Sequence, residues 1–315
     1  MISISRGFLA GIGFLLIVLL FTSPLSPYDA RSLKQGWQLG HIMLFTVWTF
    51  LLSDLFLIHI KVARLCLIVF LTTLALGIII ELIQSFIGRG FSLLDLAFNL
   101  IGSSLGLSLL VYRECIHMPQ AAKKVLYSLT AILLFYALTP VILSLMDEIK
   151  MYRSFPVLAD FESKLELSRW EGDISIDKPG FSANEGNMLQ VTLHTTQFSG
   201  TTLAYFPGNW TNYSQFLFDA YNPDTEVLSL TLRIHDESHY GSGRGEYADR
   251  FNQTFDLQSG WNAILIELED IASAPQNRVM DMTRIQSIQL FTVDSPRTRF
   301  LYLDNIRLNT TESGK

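Results

Sequence analysis

Runs of about twenty apolar residues fill the first half of this 315-residue chain and are missing from the second. That division constrains the fold more than any other feature. A run of this length, coiled as a helix, covers the roughly 30 Å hydrocarbon core of a bilayer. Five such runs are readable, approximately Gly7–Ser23, Gly40–Ile60, Leu65–Phe86, Leu93–Tyr112 and Val125–Met146. The first has Arg6 as its only basic residue and ends in Thr22-Ser23-Pro24, a poor small-residue cleavage site, so it reads as a retained helix and not a signal peptide.

Charge follows the same division. Residues 1–150 hold 10 Lys and Arg against 7 Asp and Glu, whereas residues 151–315 hold 13 against 22. The halves therefore carry +3 and −9, and their sum is the chain's −6. A second half that acidic lacks the basic face that phosphate neutralisation needs, which argues against nucleic acid as a partner. The two cysteines, Cys66 and Cys115, both lie in the first half. They cannot build a disulfide framework or a cysteine-based metal site, and they read as packing residues.

Beyond residue 155 the texture changes. Met188–His194, Gln215–Tyr221, Leu228–Ile234, Ala263–Glu267 and Phe300–Asn305 are short and rich in β-branched and aromatic residues. Turn signals such as Lys178-Pro179-Gly180, Asn222-Pro223-Asp224 and Gln258-Ser259-Gly260 separate them. Many short strands with turns between them read as a β-sandwich or barrel. The expected fold is thus multi-domain: an all-α transmembrane bundle of about five spans over 1–150, then an all-β sandwich of jelly-roll type over 151–315.

The short loops set the orientation. With a cytoplasmic N-terminus, Arg6, Lys61, Arg64, Arg113, Lys123 and Lys124 lie inside, against Arg31, Lys34 and Arg89 outside, with Lys150 and Arg153 just past the last span, a modest bias. Five spans then place the C-terminal domain outside the cytoplasm, periplasmic in a Gram-negative cell, on a multi-pass protein of the inner (cytoplasmic) membrane.

Ionisable groups inside a span are costly and mark function by default. His41 opens the second span, Glu81 and Gln84 close the third, Arg89 lies in the turn, and Ser92, Asp95 and Asn99 open the fourth. Counting crossings puts all of them at one membrane face, and the β-domain at that same face. Glu81, Gln84 and Gly88 share one helix face, as do Ser92, Asp95, Asn99, Gly102 and Gly106. Ser92 with Asp95 has the form of a capping box. Gly102-x-x-x-Gly106 is a strip on which another helix can approach closely. Arg89 is within reach of both Glu81 and Asp95, which lowers the cost of burying each charge.

The pattern His41, then Glu81-x-x-Gln84-x-x-x-x-Arg89-x-x-Ser92-x-x-Asp95-x-x-x-Asn99-x-x-Gly102, resembles the VanZ-like family of small bacterial membrane proteins over roughly residues 35–112. It departs from that family's frequent Lys shortly before the His, since Lys34 is seven residues upstream. The resemblance implies a cell-envelope membrane protein but brings no established reaction with it. Three readings of the cluster stay open: a structural network, a site for a lipid-linked or cell-wall headgroup, and catalysis with His41 and Glu81 as an acid–base pair.

Leu158-Ala159-Asp160-Phe161-Glu162 and Leu303-Asp304-Asn305-Ile306-Arg307-Leu308 open and close the second half. These motifs are similar to those of galactose-binding-like jelly rolls, which include carbohydrate-binding modules. In that fold the first and last strands are neighbours and often hold a structural calcium ion. The resemblance implies Asp160, Glu162 and Asp304 as its oxygen ligands, with plain capping and turn carboxylates as the alternative reading. The Gly-rich stretch from His235 to Arg250 reads as a polar loop, and His235, His239, Tyr240, Arg244 and Tyr247 are its candidate glycan contacts. A His-Asp-His metal site and a plain solvated hairpin are the alternatives there.

The expected whole is a bilayer-embedded protein that binds a glycan or lipid-linked glycan at the outer face. The rivals are an enzyme acting on a lipid-linked envelope precursor and a non-catalytic scaffold for other envelope proteins.

Overall fold

A computed structural model describes residues 6–21, 29–56, 61–86, 90–113, 116, 118–180, 186–241 and 247–310. It divides into two compact units, Met1–Leu143 and Ser144–Lys315.

Five helices occupy the first half: α1 (Arg6–Phe21), α2 (Arg31–Phe56), α3 (Val62–Phe86), α4 (Leu93–Tyr112) and α5 (Gln120–Ser154). Each coincides with one of the five apolar runs. Three of them, α3, α4 and α5, are long and apolar enough to cross a membrane among the described residues. Of the five expected spans, these three meet that length and composition among the described residues. The 16 residues of α1 fall short of the usual span length, and the 26 of α2 include Arg31, Lys34, Gln35, Gln38, His41 and Asp54, which dilute its apolar character.

Within this unit α4 is the most enclosed helix, with 61% of its most apolar window buried against 22% for α3. Its small residues explain why. A Cβ on Gly102 would collide with the backbone carbonyl of Ile42 in α2, and one on Gly106 would stand 2.6 Å from Thr49 Cβ. The glycine strip therefore serves an approach between α4 and α2 of the same chain. Hydroxyl pairs add polar links across the interior: Thr73 and Ser103 are 2.6 Å apart, and Ser108 and Thr130 3.0 Å. Meanwhile Leu67, Leu71, Ile79, Ile132 and Phe135 stand exposed on the outward faces of α3 and α5.

The second unit is a sandwich of two antiparallel sheets. Its strands are β1 (Val157–Ala159), β2 (Trp170–Gly172), β3 (Ile174–Asp177), β4 (Met188–Leu193), β5 (Phe198–Leu203), β6 (Gln215–Asn222), β7 (Leu228–Asp236), β8 (Phe251–Leu257), β9 (Gly260–Glu267), β10 (Ile285–Val293) and β11 (Arg299–Asn309). One sheet has the order β3-β4-β11-β6-β9, with β1 also on β11; the other runs β2-β5-β10-β7-β8. First and last strands pair, as the sequence resemblance implies.

Alternation along the strands puts one face of each sheet into a shared core. Leu189, Val191, Phe216, Phe218, Leu230, Leu232, Ile288, Leu290, Leu301 and Leu303 are all buried there. Trp210 is fully buried and stacks on Phe216 with centroids 5.6 Å apart. Trp170 is also core.

The last turns of α5 belong to this unit. Asp147, fully buried, lies 3.2 Å from the guanidinium of Arg169, which is 2% exposed and also reaches Glu166 at 3.5 Å. Lys150 donates to Glu166 at 2.9 Å. Burial raises the Glu166 carboxyl above the usual range in spite of these cations.

Candidate functional site

Two polar constellations stand out, one in each unit. In the helical unit, His41 (α2), Glu81 (α3) and Asp95 (α4) bring one ligand atom each to within 4.8 Å of one another. His41 and Glu81 are 3% and 0% exposed. His41 Nδ1 is 2.9 Å from Asn99 Oδ1, and His41 Nε2 is 3.6 Å from Asp95 Oδ2.

Ser92 caps α4 by accepting from the Asp95 backbone N–H at 3.2 Å, so half of the expected capping box is present. Its other half is supplied differently. The Ser92 N–H donates to Glu81 Oε2 at 2.8 Å, so the returning carboxylate comes from α3 and not from Asp95. Gln84 stands apart from this group and donates to the Leu20 carbonyl at 3.3 Å. Gly77 makes room for Asn99, whose amide nitrogen would lie 2.6 Å from a Cβ there. Arg89 lies outside the described residues.

In the β unit the expected contact residues separate. His235 sits on β7 and His239 on the short helix α6 (Ser238–Gly241), and both are buried, at 1% and 0% exposure. The sequence places them on a solvated loop; the structure corrects this, because β7 continues to Asp236 and the chain folds back over it. Their rings are 4.7 Å apart. Burial, together with the nearby His239 and Arg233, lowers His235 to about 4, so it is neutral near pH 7. Tyr247 is 71% exposed and lies under the Arg250 guanidinium, 5.4 Å from ring centroid to Cζ. The side chain of Tyr240 and all of Arg244 lie outside the described residues.

What the fold assembles instead is a cleft of about 370 Å³ on the outer face of the β2-β5-β10-β7-β8 sheet. Phe198, Thr202, Arg233, Arg250, Gln289 and Phe291 line it. The register explains the grouping: Thr202 pairs with Gln289, and Gln289 with Arg233, on three adjacent strands. Side chains two residues apart share a face, so Phe291 joins Gln289 and sets its ring edge-on to Phe198, 5.9 Å away.

Arg233 is held in place. Its Nη1 donates to Gln289 Oε1 at 3.1 Å and its Nη2 to His239 Nε2 at 3.2 Å. His239 must then carry its proton on Nδ1, which donates to the Asp249 carbonyl at 3.1 Å. The buried histidine therefore acts behind the cleft wall, as a positioning residue for Arg233.

At the junction of β1 and β11 four carboxylates gather. Burial, and then the charges of Asp219, Glu162 and Asp160, raise Asp304 to about 6. Phe161 and Asn305, beside Asp160 and Asp304, both have φ of 56°, a region non-glycine residues seldom enter. Three of these four, Asp160, Glu162 and Asp304, are the carboxylates that the sequence resemblance implies as calcium ligands. Glu162 already accepts from the Asn187 N–H at 3.0 Å, and Asp160 from Lys150 at 3.4 Å. The ligand atoms of Asp160, Glu162 and Asp304 are not among those that converge within 4.8 Å. Backbone carbonyls would have to complete a calcium shell.

No family model matches the chain, and no curated protein does. The likeness to the VanZ-like family thus rests on residue spacing alone. Among solved structures, the chain is similar to a family 11 carbohydrate-binding module from Clostridium thermocellum in complex with a β-1,3-1,4-mixed-linked tetrasaccharide. Identity is 20%, over 49% of this chain and 94% of that one, with a TM-score of 0.37. An exo-β-agarase matches at 15% identity over 50% of this chain and 25% of its own, with a TM-score of 0.40. A family 28 module described as specific for non-crystalline cellulose matches at 12% over 50% and 95%, with a TM-score of 0.33.

Proposed function

We propose that this chain is a membrane-anchored glycan-binding protein of the bacterial cell envelope. The observation that supports it is the cleft of the β unit. Rings at Phe198 and Phe291 offer apolar faces for a sugar ring, while Thr202, Arg233, Arg250 and Gln289 offer hydroxyl, guanidinium and amide groups for its hydroxyls. Preordering of Arg233 by His239 and Gln289 reduces the entropy lost on binding.

In this reading the apolar helices hold the protein in the inner membrane with the β unit outside the cytoplasm. The His41–Glu81–Asp95–Asn99 cluster is the candidate site for the headgroup of a lipid that carries the glycan. A structural calcium ion at Asp160, Glu162 and Asp304, aided by Asp219, relieves the repulsion that raises Asp304. Screening the full-length protein in detergent against a broad panel of envelope and plant-type glycans tests the proposal. Binding of a defined saccharide supports it, and no binding by folded protein refutes it.

A further inference from the structure

We infer that His41, Glu81 and Asp95 form a site for a divalent metal ion of the zinc type. It concerns the same cluster as the proposed headgroup site, but its test, metal content, reads independently of glycan binding.

Three helices deliver the three groups, which is what distinguishes a built site from side chains that happen to be neighbours on one helix. Their ligand atoms already converge within 4.8 Å. One imidazole nitrogen with two carboxylate oxygens is a donor set that suits zinc, whereas calcium and magnesium favour oxygen alone.

The placement of the histidine fits such a site. With Nδ1–H donated to Asn99 Oδ1 at 2.9 Å, the Nε2 atom is the one turned toward the carboxylates. His41 Nε2 and Asp95 Oδ2 stand 3.6 Å apart. That separation is close to the roughly 3.3 Å between neighbouring ligand atoms around a tetrahedral ion with bonds near 2.0 Å.

Each ligand also has a second partner that orients it. Asn99 fixes the His41 tautomer, as a metal-bound histidine requires. Ser92 N–H holds one oxygen of Glu81 at 2.8 Å. Asp95 Oδ1 is buried with no hydrogen-bond partner among the described residues. Gly102, packed on the Ile42 backbone, brings α4 against α2 one residue from His41, and Gly77 gives Asn99 its space. Three protein ligands leave a fourth position for water or an anionic oxygen.

The test uses full-length protein in detergent, stripped with chelator and then titrated with Co²⁺ as a spectroscopic probe and with Zn²⁺ followed by elemental analysis. We expect about one tightly held ion per chain and visible d–d bands that Zn²⁺ displaces. His41→Ala and Asp95→Asn should each abolish them, and Asn99→Ala should weaken binding about 10–100-fold, the usual effect of losing a residue that orients a ligand. Circular dichroism confirms that each variant keeps its helices, and a variant that does not is replaced by Glu81→Gln. A folded wild type that holds no stoichiometric ion overturns the inference. So does an ion retained equally by the wild type, His41→Ala and Asp95→Asn.

Discussion

Replacing Asp304 by Asn should stabilise the β unit at neutral pH when calcium is absent. Burial and three neighbouring carboxylates raise this group from an ordinary 3.8 to about 6. A carboxyl whose pKa is higher in the folded state contributes stability that is full below its unfolded value and lost as pH rises through its folded value. The window therefore runs from 3.8 to about 6, and above it the ionised group costs about 3 kcal/mol, taking 1.36 kcal/mol per pKa unit. Asn cannot ionise, yet its Oδ1 can still accept the Asn305 N–H that Asp304 Oδ1 accepts at 2.7 Å.

Near pH 7.5 the variant should thus gain up to about 3 kcal/mol, or roughly 6–12 °C in Tm for a unit of this size. At pH 5 the same arithmetic leaves a gain of about 1.6 kcal/mol. His235 acts in the opposite sense. Its pKa is lowered from 6.5 to about 4, so its contribution is present above 6.5 and lost as pH falls through about 4. The two groups offset one another in the wild type, and removing Asp304 should expose the acid sensitivity due to His235.

Thermal melts in EDTA from pH 4.5 to 8, for wild type and Asp304→Asn, read both effects. Adding calcium should raise the wild-type Tm and leave the variant almost unmoved. An Asp304→Asn protein less stable than wild type near pH 7.5 in EDTA would refute the reasoning.

Other expectations follow from packing. Arg169→Met, which leaves buried Asp147 and Glu166 without their shared cation, should cost about 3–5 kcal/mol in a urea melt. Lys150→Met, at a site whose side chain is 39% exposed, should cost no more than about 1 kcal/mol in the same melt. Gly102→Val, whose Cβ meets the Ile42 backbone, should destabilise the helical unit by about 1–3 kcal/mol. By contrast, Gly36→Ala in α2, with nothing within 4 Å of the new atom, should stabilise it by up to about 1 kcal/mol. Detergent-resistant helicity on heating reads both.

The helices were legible because twenty-residue apolar runs leave little choice of structure, and the spacing from Glu81 to Asn99 predicts which side chains share a face. Sequence spacing could not show that Glu81 would cap Ser92 in place of Asp95, because that bond joins two helices through a turn. In the β half, the apolar alternation of β6, β7 and β11 is plain. β5, with the composition Phe-Ser-Gly-Thr-Thr-Leu, is not among the runs legible as strands, because small and polar residues interrupt its apolar pattern.

The cleft could not be read at all. Phe198, Arg233, Arg250 and Gln289 are brought together only by cross-strand register between distant segments. The histidines drew attention as polar residues in a Gly-rich stretch. Their burial follows from hydrogen bonds to Arg233 and to the Asp236 and Asp249 backbone, which no spacing rule encodes.

The most direct test of the central claim is saccharide affinity measured on full-length wild type, Arg233→Ala and Phe198→Ala in parallel. Losing charge-assisted hydrogen bonds worth about 1.5–3 kcal/mol should weaken Arg233→Ala by roughly 10–150-fold. Losing a stacking ring should weaken Phe198→Ala by roughly 2–10-fold, with melting temperatures close to wild type in both. A saccharide that binds all three proteins equally would place recognition elsewhere and contradict the account.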